Sequence, residues 1–396
     1  MTADLLTSVR PEALAAPESG IVEVMNYGLG RPGLIPLWAG EGDLPTPDFI
    51  CAAAQASLDA GETGYTWQRG IPELRKALAA YHARLYDRPF DPERFFVTNS
   101  GMHAIQLALR MLVGPGDEVI VPTPAWPNFA GAAGLTGARV VEAPLHFGND
   151  GWTLPIERLE RAVTPASKVI FVNSPANPTG WTASADDLAA ILALARRHGL
   201  WIVADEVYGR FVYDGGRAAS FHDVAAADDR IVYVNTFSKN WAMTGWRLGW
   251  IETDPALGQV LENLVQYSNS GVPVFVQRAG VVALAEGDDF IAFQRERMAA
   301  SRALLCDALA RTGRVRLAPP KGAFYLFFGI DGETDTARLG LRLVDEANIG
   351  LAPGDAFGRA GRGFLRFCFA RGPESVAEAT RRLVEWLEKR PETVAS

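Results

Sequence analysis

Short runs of β-branched and aromatic residues alternate with longer amphipathic stretches through the middle of the chain. Residues 95–98, 118–122, 139–142, 169–173, 201–205, 231–236 and 247–251 read as strands, and 102–112, 185–197 and 257–265 as helices among them. Several strand candidates, such as Val169-Ile170-Phe171-Val172, are apolar at every position instead of at alternate ones. A strand buried on both faces needs that pattern, so the expected fold is α/β, with a mostly parallel sheet sandwiched by helices. The last third reads differently. A long charged amphipathic helix over 290–311, strands over 324–328 and 364–369, and helices over 335–348 and 375–389 predict a smaller α+β unit. The segment up to about Leu44 has too little apolar material for its own core and is expected to pack onto that unit. The expected division is a large domain over 46–289 and a small domain built from 1–45 together with 290–396, with a cleft between them.

Composition narrows the function classes. With 396 residues, 48% of them hydrophobic and 21% charged, the chain can bury a large core without disulfides or structural metal. Its 38 basic and 46 acidic residues give a net charge of -8, opposite to the footprint of a nucleic-acid binder, so a small-molecule partner is expected. Cys51, Cys306 and Cys368 are odd in number and far apart, with no CxxC pair, and read as reduced thiols in or near the core. The five histidines form no HExxH pair and no Cys/His cluster, so no dedicated zinc site is expected. The first twenty residues lack a cationic n-region, and no run approaches the roughly 18 apolar residues of a membrane span, so a soluble, cytoplasmic protein with no membrane partner is expected.

One motif misleads. Gly28-Leu29-Gly30-Arg31-Pro32-Gly33 spells the dinucleotide fingerprint GxGxxG. That fingerprint works only with a strand before it and a helix after it. Here 23–27 reads as helical, Pro32 interrupts the motif and 34–38 reads as extended, so the match is a coincidence. No GxxxxGK[ST] and no GxSxG is present, which removes the P-loop and esterase readings.

The chemistry gathers around a lysine. There are only five, against 33 arginines, and Lys239 lies in Thr236-Phe237-Ser238-Lys239-Asn240-Trp241-Ala242-Met243-Thr244-Gly245-Trp246-Arg247, directly after a strand. A lysine held among aromatics near a fixed cation can lose its proton and become a Schiff-base nucleophile, where an ordinary loop lysine would stay solvated. Asp205-Glu206-Val207-Tyr208 and Asn173-Ser174-Pro175-Ala176-Asn177-Pro178-Thr179-Gly180 end two further strands at the same carboxyl edge, where α/β sheets bind ligands.

With these segments and Arg366 in a late strand, the sequence resembles the class I (class I/II) pyridoxal-phosphate-dependent aminotransferases of the aspartate aminotransferase fold, from Gly40 to Arg366. The resemblance implies pyridoxal 5'-phosphate bound as a Schiff base to Lys239, and a ping-pong transfer of the amino group of an L-amino acid to a 2-oxo acid. It assigns Asp205 to the ring nitrogen, which must stay protonated for the ring to act as an electron sink. Asn177 and Tyr208 fall to the phenolic oxygen, and released Lys239 becomes the proton shuttle. The phosphate is expected on Ser100, Gly101 and Met102 at a helix start, with Thr236, Ser238 and Arg247. Trp126 matches the aromatic that stacks on the ring, in a Pro-Ala-Trp context where the family more often has Pro-Tyr-Trp. Tyr65 matches a tyrosine that reaches the neighbouring subunit's phosphate, which implies a homodimer. Arg366 is expected to bind the substrate α-carboxylate, with Gly40 and Asn177 beside it; an inter-strand ion pair is the structural alternative for a buried arginine. His103 is expected to pack, not to catalyse.

Side-chain specificity rests on weaker signals. Met102 stands where some dicarboxylate-specific relatives carry lysine, and 261–275 contains no lysine or arginine. Arg69 is the one nearby candidate for a distal carboxylate. Trp67, Met102 and Ile21 suit an aromatic or aliphatic side chain, so broad, apolar-leaning specificity is expected. An aspartate-specific transaminase and a C–S β-lyase on the same scaffold are the alternatives, and a non-catalytic ligand-sensing module is a third.

Overall fold

A computed structural model gives the fold and describes residues 2–389. Its centre is a seven-stranded sheet in the order Phe95–Thr98, Gly249–Glu252, Ile231–Thr236, Trp201–Asp205, Ser167–Asn173, Glu118–Thr123, Arg139–Pro144. Only Gly249–Glu252 runs antiparallel to its neighbours; the remaining pairings are parallel. Val169, Ile170, Phe171 and Val172 are all at most 1% exposed, which is why their stretch carries no polar alternation. Phe171 stacks on Phe129 of the helix Pro127–Leu135 at 3.6 Å between ring centres, one of the contacts that join the sheet to its helical layer.

A second sheet of four antiparallel strands, Val315–Arg316, Tyr325–Ile330, Leu365–Cys368 and Ala352–Pro353, is backed by the helices Asp288–Arg311, Thr336–Ala347 and Pro373–Glu388. The N-terminal segment joins it. Ile35–Pro36 pairs in parallel with Ile349–Gly350, and the helix Gly20–Gly28 packs on Thr336–Ala347.

Element ends are set by local chemistry. Ser184 caps Ala185–His198 in a reciprocal box with Asp187, and left-handed Gly199 stops it. Asp335 accepts from Arg338 N–H at 3.0 Å to open Thr336–Ala347. The strand expected over 247–251 is shifted to Gly249–Glu252, because Arg247 sits at φ 56° in the left-handed region and ends a 3-10 turn, Thr244–Trp246. The GxGxxG segment follows a helix and leads into an extended segment, the reverse of the order that pyrophosphate binding needs. Cys306 and Cys368 are buried, but Cys51 is exposed, so it is not the core thiol expected: it lies on the solvent side of the amphipathic helix Asp48–Asp59. No helix among the described residues is long and apolar enough to cross a membrane.

Folding also gathers His82, His222 and Glu252, whose potential ligand atoms lie within 4.8 Å of one another, a cluster that sequence spacing did not reveal. Arg88 Nη2 is 3.1 Å from His222 Nδ1. A guanidinium can only donate, so Nδ1 accepts and the ring proton sits on Nε2, which faces Glu252 Oε2 at 2.9 Å. Glu252 Oε1 accepts from Arg94 Nε at 2.7 Å. His222 and Glu252 thus lie between two guanidinium groups, while both ring nitrogens of His82 are buried without a hydrogen-bond partner.

Candidate active site

The carboxyl ends of the central strands and the face of the second sheet enclose a cavity of about 430 Å³. It brings together Gly40, Ser100, Gly101, Met102, Trp126, Asn177, Asp205, Tyr208, Thr236, Ser238, Lys239, Arg247 and Arg366, residues the sequence spreads over more than three hundred positions. Tyr65 is not among its walls; it is 98% exposed.

Lys239 sits on the one-turn helix Phe237–Asn240, opened by Thr236, whose hydroxyl accepts from Ser238 N–H at 3.2 Å. Its Nζ donates to Gly40 O at 2.7 Å. Burial pulls its pKa down to about 8, against the pull of Cys368 and Glu41 toward the charged form. Across the cavity, burial pushes the Asp205 carboxyl up to about 7; the Val207 N–H that reaches it does so at 3.4 Å, and Lys239 adds only a partial counter-charge. A carboxyl 4% exposed with so little compensation calls for a cation beside it.

Arg366 is 2% exposed and has no carboxylate within ion-pair distance among the described residues, which removes the inter-strand pair considered from sequence. Nη1 donates to Asn177 Oδ1 at 2.8 Å, Nη2 donates to Trp38 O, and Nε is buried without a partner. Its guanidinium carbon lies 4.7 Å from the Tyr325 ring centre and 4.9 Å from that of Phe357. Because Asn177 Oδ1 is taken by Arg366, its NH2 is left to donate elsewhere in the cavity. The Tyr208 hydroxyl is 2.8 Å from that of Tyr325, and burial keeps this phenol protonated.

The third corner is an anion cradle. Ser100, at φ 144°, opens the twelve-residue helix Gly101–Leu112 and accepts from His103 N–H at 3.1 Å. Gly249 lets this turn lie against the strand beside it: a Cβ there would meet Ser100 C at 2.6 Å, Gly101 N at 2.7 Å and Asn235 O at 2.8 Å. Thr236 and Ser238 hydroxyls, 2.9 Å apart, and Arg247, braced by Thr244 O at 2.7 Å, face the same helix start. His103 is held by Asn99 N–H at 3.2 Å and by Ser268 at 3.1 Å, and burial lowers its pKa to about 4, which fits packing.

These features fit pyridoxal phosphate: a depressed amine for the carbonyl carbon, an undercompensated carboxyl for a protonated ring nitrogen, a dipole-backed cradle for the phosphate, and an unpaired guanidinium for a carboxylate. Sequence reasoning missed Tyr325, Trp38, Asn173 and Gly249. Asn173 Nδ2 bonds Asp205 O at 3.1 Å and its Oδ1 accepts from Asn177 N–H at 2.8 Å, tying the two loops together. The polar Asn173 at the end of an otherwise apolar strand was the available signal. Two specificity candidates move. Arg69 is occupied by Glu93 and by Glu262, the latter at 2.7 Å, and lies over Phe96, so it is not free for a substrate. Trp67 is 61% exposed and outside this cavity, whereas Ile21 and Met102 do line it.

The family model for aminotransferase class I and II matches residues 33–383. An aspartate aminotransferase of Pyrococcus horikoshii is 32% identical over 383 residues, covering 96% of this chain and 97% of that protein. Aromatic-amino-acid aminotransferase 2 of Thermococcus litoralis is 34% identical over 379 residues, covering 94% and 96%. Among solved structures, Thermus thermophilus aspartate aminotransferase with maleate aligns at a TM-score of 0.89 with 32% identity, covering 96% of this chain and 99% of that one. The chain belongs to the class I and II aminotransferases. It is a pyridoxal-phosphate-dependent transaminase that acts on amino acids and 2-oxo acids.

Proposed function

We propose that this transaminase is a homodimer of broad, apolar-leaning amino acid specificity, with the residues of the cavity in the roles the resemblance assigns. When bound, pyridoxal phosphate supplies the carbon that carries the amino group and the electron sink behind it. Asp205 holds a proton on the ring nitrogen, and Asn177 Nδ2 and Tyr208 donate to the phenolic oxygen. Ser100, Gly101, Met102, Thr236, Ser238 and Arg247 take the phosphate, and Trp126 covers the ring. Arg366, oriented by Asn177 and Trp38 O, takes the α-carboxylate, and the backbone at Gly40 closes the wall beside it. Lys239 moves the proton between the substrate α-carbon and the cofactor carbon, a task suited to an amine whose pKa lies close to neutrality.

The observation that carries the specificity is the cation count. The cavity's three cations, Lys239, Arg247 and Arg366, are each engaged by this reading, and the remaining wall includes Ile21, Val22, Trp38, Met102 and Ile105. Among the described residues lining the cavity, no cation is left for a distal carboxylate. Relatives named for aspartate and for aromatic amino acids are about equally similar to it. The test is kcat/KM for aspartate, phenylalanine and methionine with a common acceptor: phenylalanine and methionine are expected to match or exceed aspartate. A preference of more than about tenfold for aspartate, 1.4 kcal/mol, refutes the apolar pocket.

The dimer is supported by Tyr65, Trp67 and Tyr267, which are 98%, 61% and 86% exposed, unusual for large aromatics. Their loops adjoin: a Cβ on Gly271 would meet Thr66 and Trp67 at 3.3–3.4 Å. The domain division at 45/46 and 289/290 and the cytoplasmic location belong to the same proposal.

A further inference from the structure

We infer that Tyr325 is a positioning residue whose hydroxyl donates to that of Tyr208 and so strengthens the hydrogen bond Tyr208 makes to the cofactor's phenolic oxygen. The inference rests on the role proposed above for Tyr208. Tyr325 opens the strand Tyr325–Ile330 in the second sheet, whereas Tyr208 follows Asp205 at the edge of the first. Their hydroxyls, 2.8 Å apart, are both buried and make a direct bond between the two sheets' sides of the cavity.

The direction of donation follows from the acceptors. A phenol has one proton. With an anionic phenolic oxygen in the cavity, the Tyr208 proton goes to that stronger acceptor, and its oxygen is left to accept. Tyr208 is the partner the structure gives the Tyr325 hydroxyl, so the Tyr325 proton points there. The titratable groups facing the pair are Asp205, Arg366 and Cys368; burial keeps the Cys368 thiol and both phenols protonated, so the chain retains its donors. Successive bonds polarise one another by about 10–30% per link.

The hydroxyl is also fixed in place. The register pairs Tyr325 with Cys368 and Phe327 with Arg366, so Tyr325 and Arg366 are diagonal neighbours on one face, and the guanidinium lies over the Tyr325 ring. On the other side, a Cβ at Gly40 would come within 2.5 Å of the Tyr325 oxygen. The 38–40 segment thus receives Arg366 and Lys239 through its carbonyls and confines the Tyr325 hydroxyl with its glycine.

The test is a pH titration of the visible absorbance of holoenzyme, which reports the proton shared between the phenolic oxygen and the Lys239 nitrogen. Losing a donor to that oxygen makes the proton harder to remove, so Y208F raises the midpoint. Y325F, which keeps the ring under Arg366, is expected to raise it by about 0.5 to 1 unit, the size of one net hydrogen bond. In the Y208F background the same change should move it by less than about 0.2 unit, the limit of additivity. Affinity for 3-phenylpropionate, a monocarboxylate probe of Arg366, should change by less than about twofold in Y325F. An unmoved midpoint in Y325F beside a shifted one in Y208F overturns the inference and leaves the site reading standing; an unmoved midpoint in Y208F overturns the site reading itself. Equal shifts from Y325F in both backgrounds, or a large loss of 3-phenylpropionate affinity, also overturn the inference, because Tyr325 would then act apart from Tyr208.

Discussion

Asp205 and Lys239 share one buried cavity, and each is shifted toward its neutral form, so the protein without cofactor has a pH signature. Asp205 has its folded pKa raised to about 7, above the ordinary carboxylate value. Between about pH 4 and 7 the unfolded chain has released this proton while the folded chain still holds it, so stability falls as pH rises through that window. Lys239 has its folded pKa lowered to about 8 from 10.5. From about pH 8 to 10.5 the unfolded chain holds the extra proton, so stability rises again with pH. Buried His103 and His82, with folded pKa values lowered to about 4 and about 3, contribute the opposite slope in the lower window, and Cys306, raised to about 11, opposes Lys239 in the upper one, so each contribution is read as a difference between wild type and variant. In urea titrations of apoprotein, the stability of wild type relative to Asp205→Asn should fall between about pH 4 and 7, that relative to Lys239→Met should rise between about pH 8 and 10.5, and binding of pyridoxal phosphate should weaken both differences by providing the missing partners. A wild-type minus Asp205→Asn difference that stays constant with pH would refute the assignment of this carboxyl. At this scale the sequence was informative about residue type and nearly silent about environment. Lys239 and Asp205 stood out by their neighbours in the chain, but the exposure of Cys51 and the two ion pairs of Arg69 depend on residues far along the sequence.

The elements that form the proposed phosphate cradle depend on a glycine that no motif singled out. At Gly249 a methyl group would strike three backbone atoms, which cannot rotate away as a side chain can. Gly249→Ala is expected to cost about 1–3 kcal/mol by overpacking and to lower affinity for pyridoxal phosphate at least about tenfold, because the start of Gly101–Leu112 must move. Gly245→Ala is the control: nothing lies within 4 Å of its Cβ, and a change under about 0.5 kcal/mol is expected. Fluorescence titration of apoprotein with cofactor reads both. Equal affinities for the two variants would show that the close approach is dispensable. Strand positions were legible because burial on both faces imposes an unbroken apolar run, as at 169–172. The end of the strand near Arg247 was not, because the left-handed conformation of a non-glycine residue is imposed by the site and not by local preference.

For the whole molecule, the proposed dimer makes a prediction that neither chain could satisfy alone. Tyr65→Ala chains retain their own Lys239 but deny the partner's site a phosphate contact, while Lys239→Ala chains keep Tyr65 and lack the amine. Each homodimer should be weak or inactive, whereas a mixture unfolded and refolded together should regain activity up to about one intact site per hybrid dimer. No recovery in demonstrated hybrids would refute the cross-subunit role of Tyr65. By itself the sequence determined the α/β class, the buried strands and most of the residues that the cavity gathers, because strand burial leaves a local hydrophobic record and those residues sit in short segments at strand ends. Only the tertiary structure decided that Arg366 has no carboxylate partner among the described residues, that the Asn177 amide oxygen is occupied by Arg366, and that Tyr325 meets Tyr208. Those are relations across two sheets, set by packing between residues up to 328 positions apart, and no local pattern encodes them.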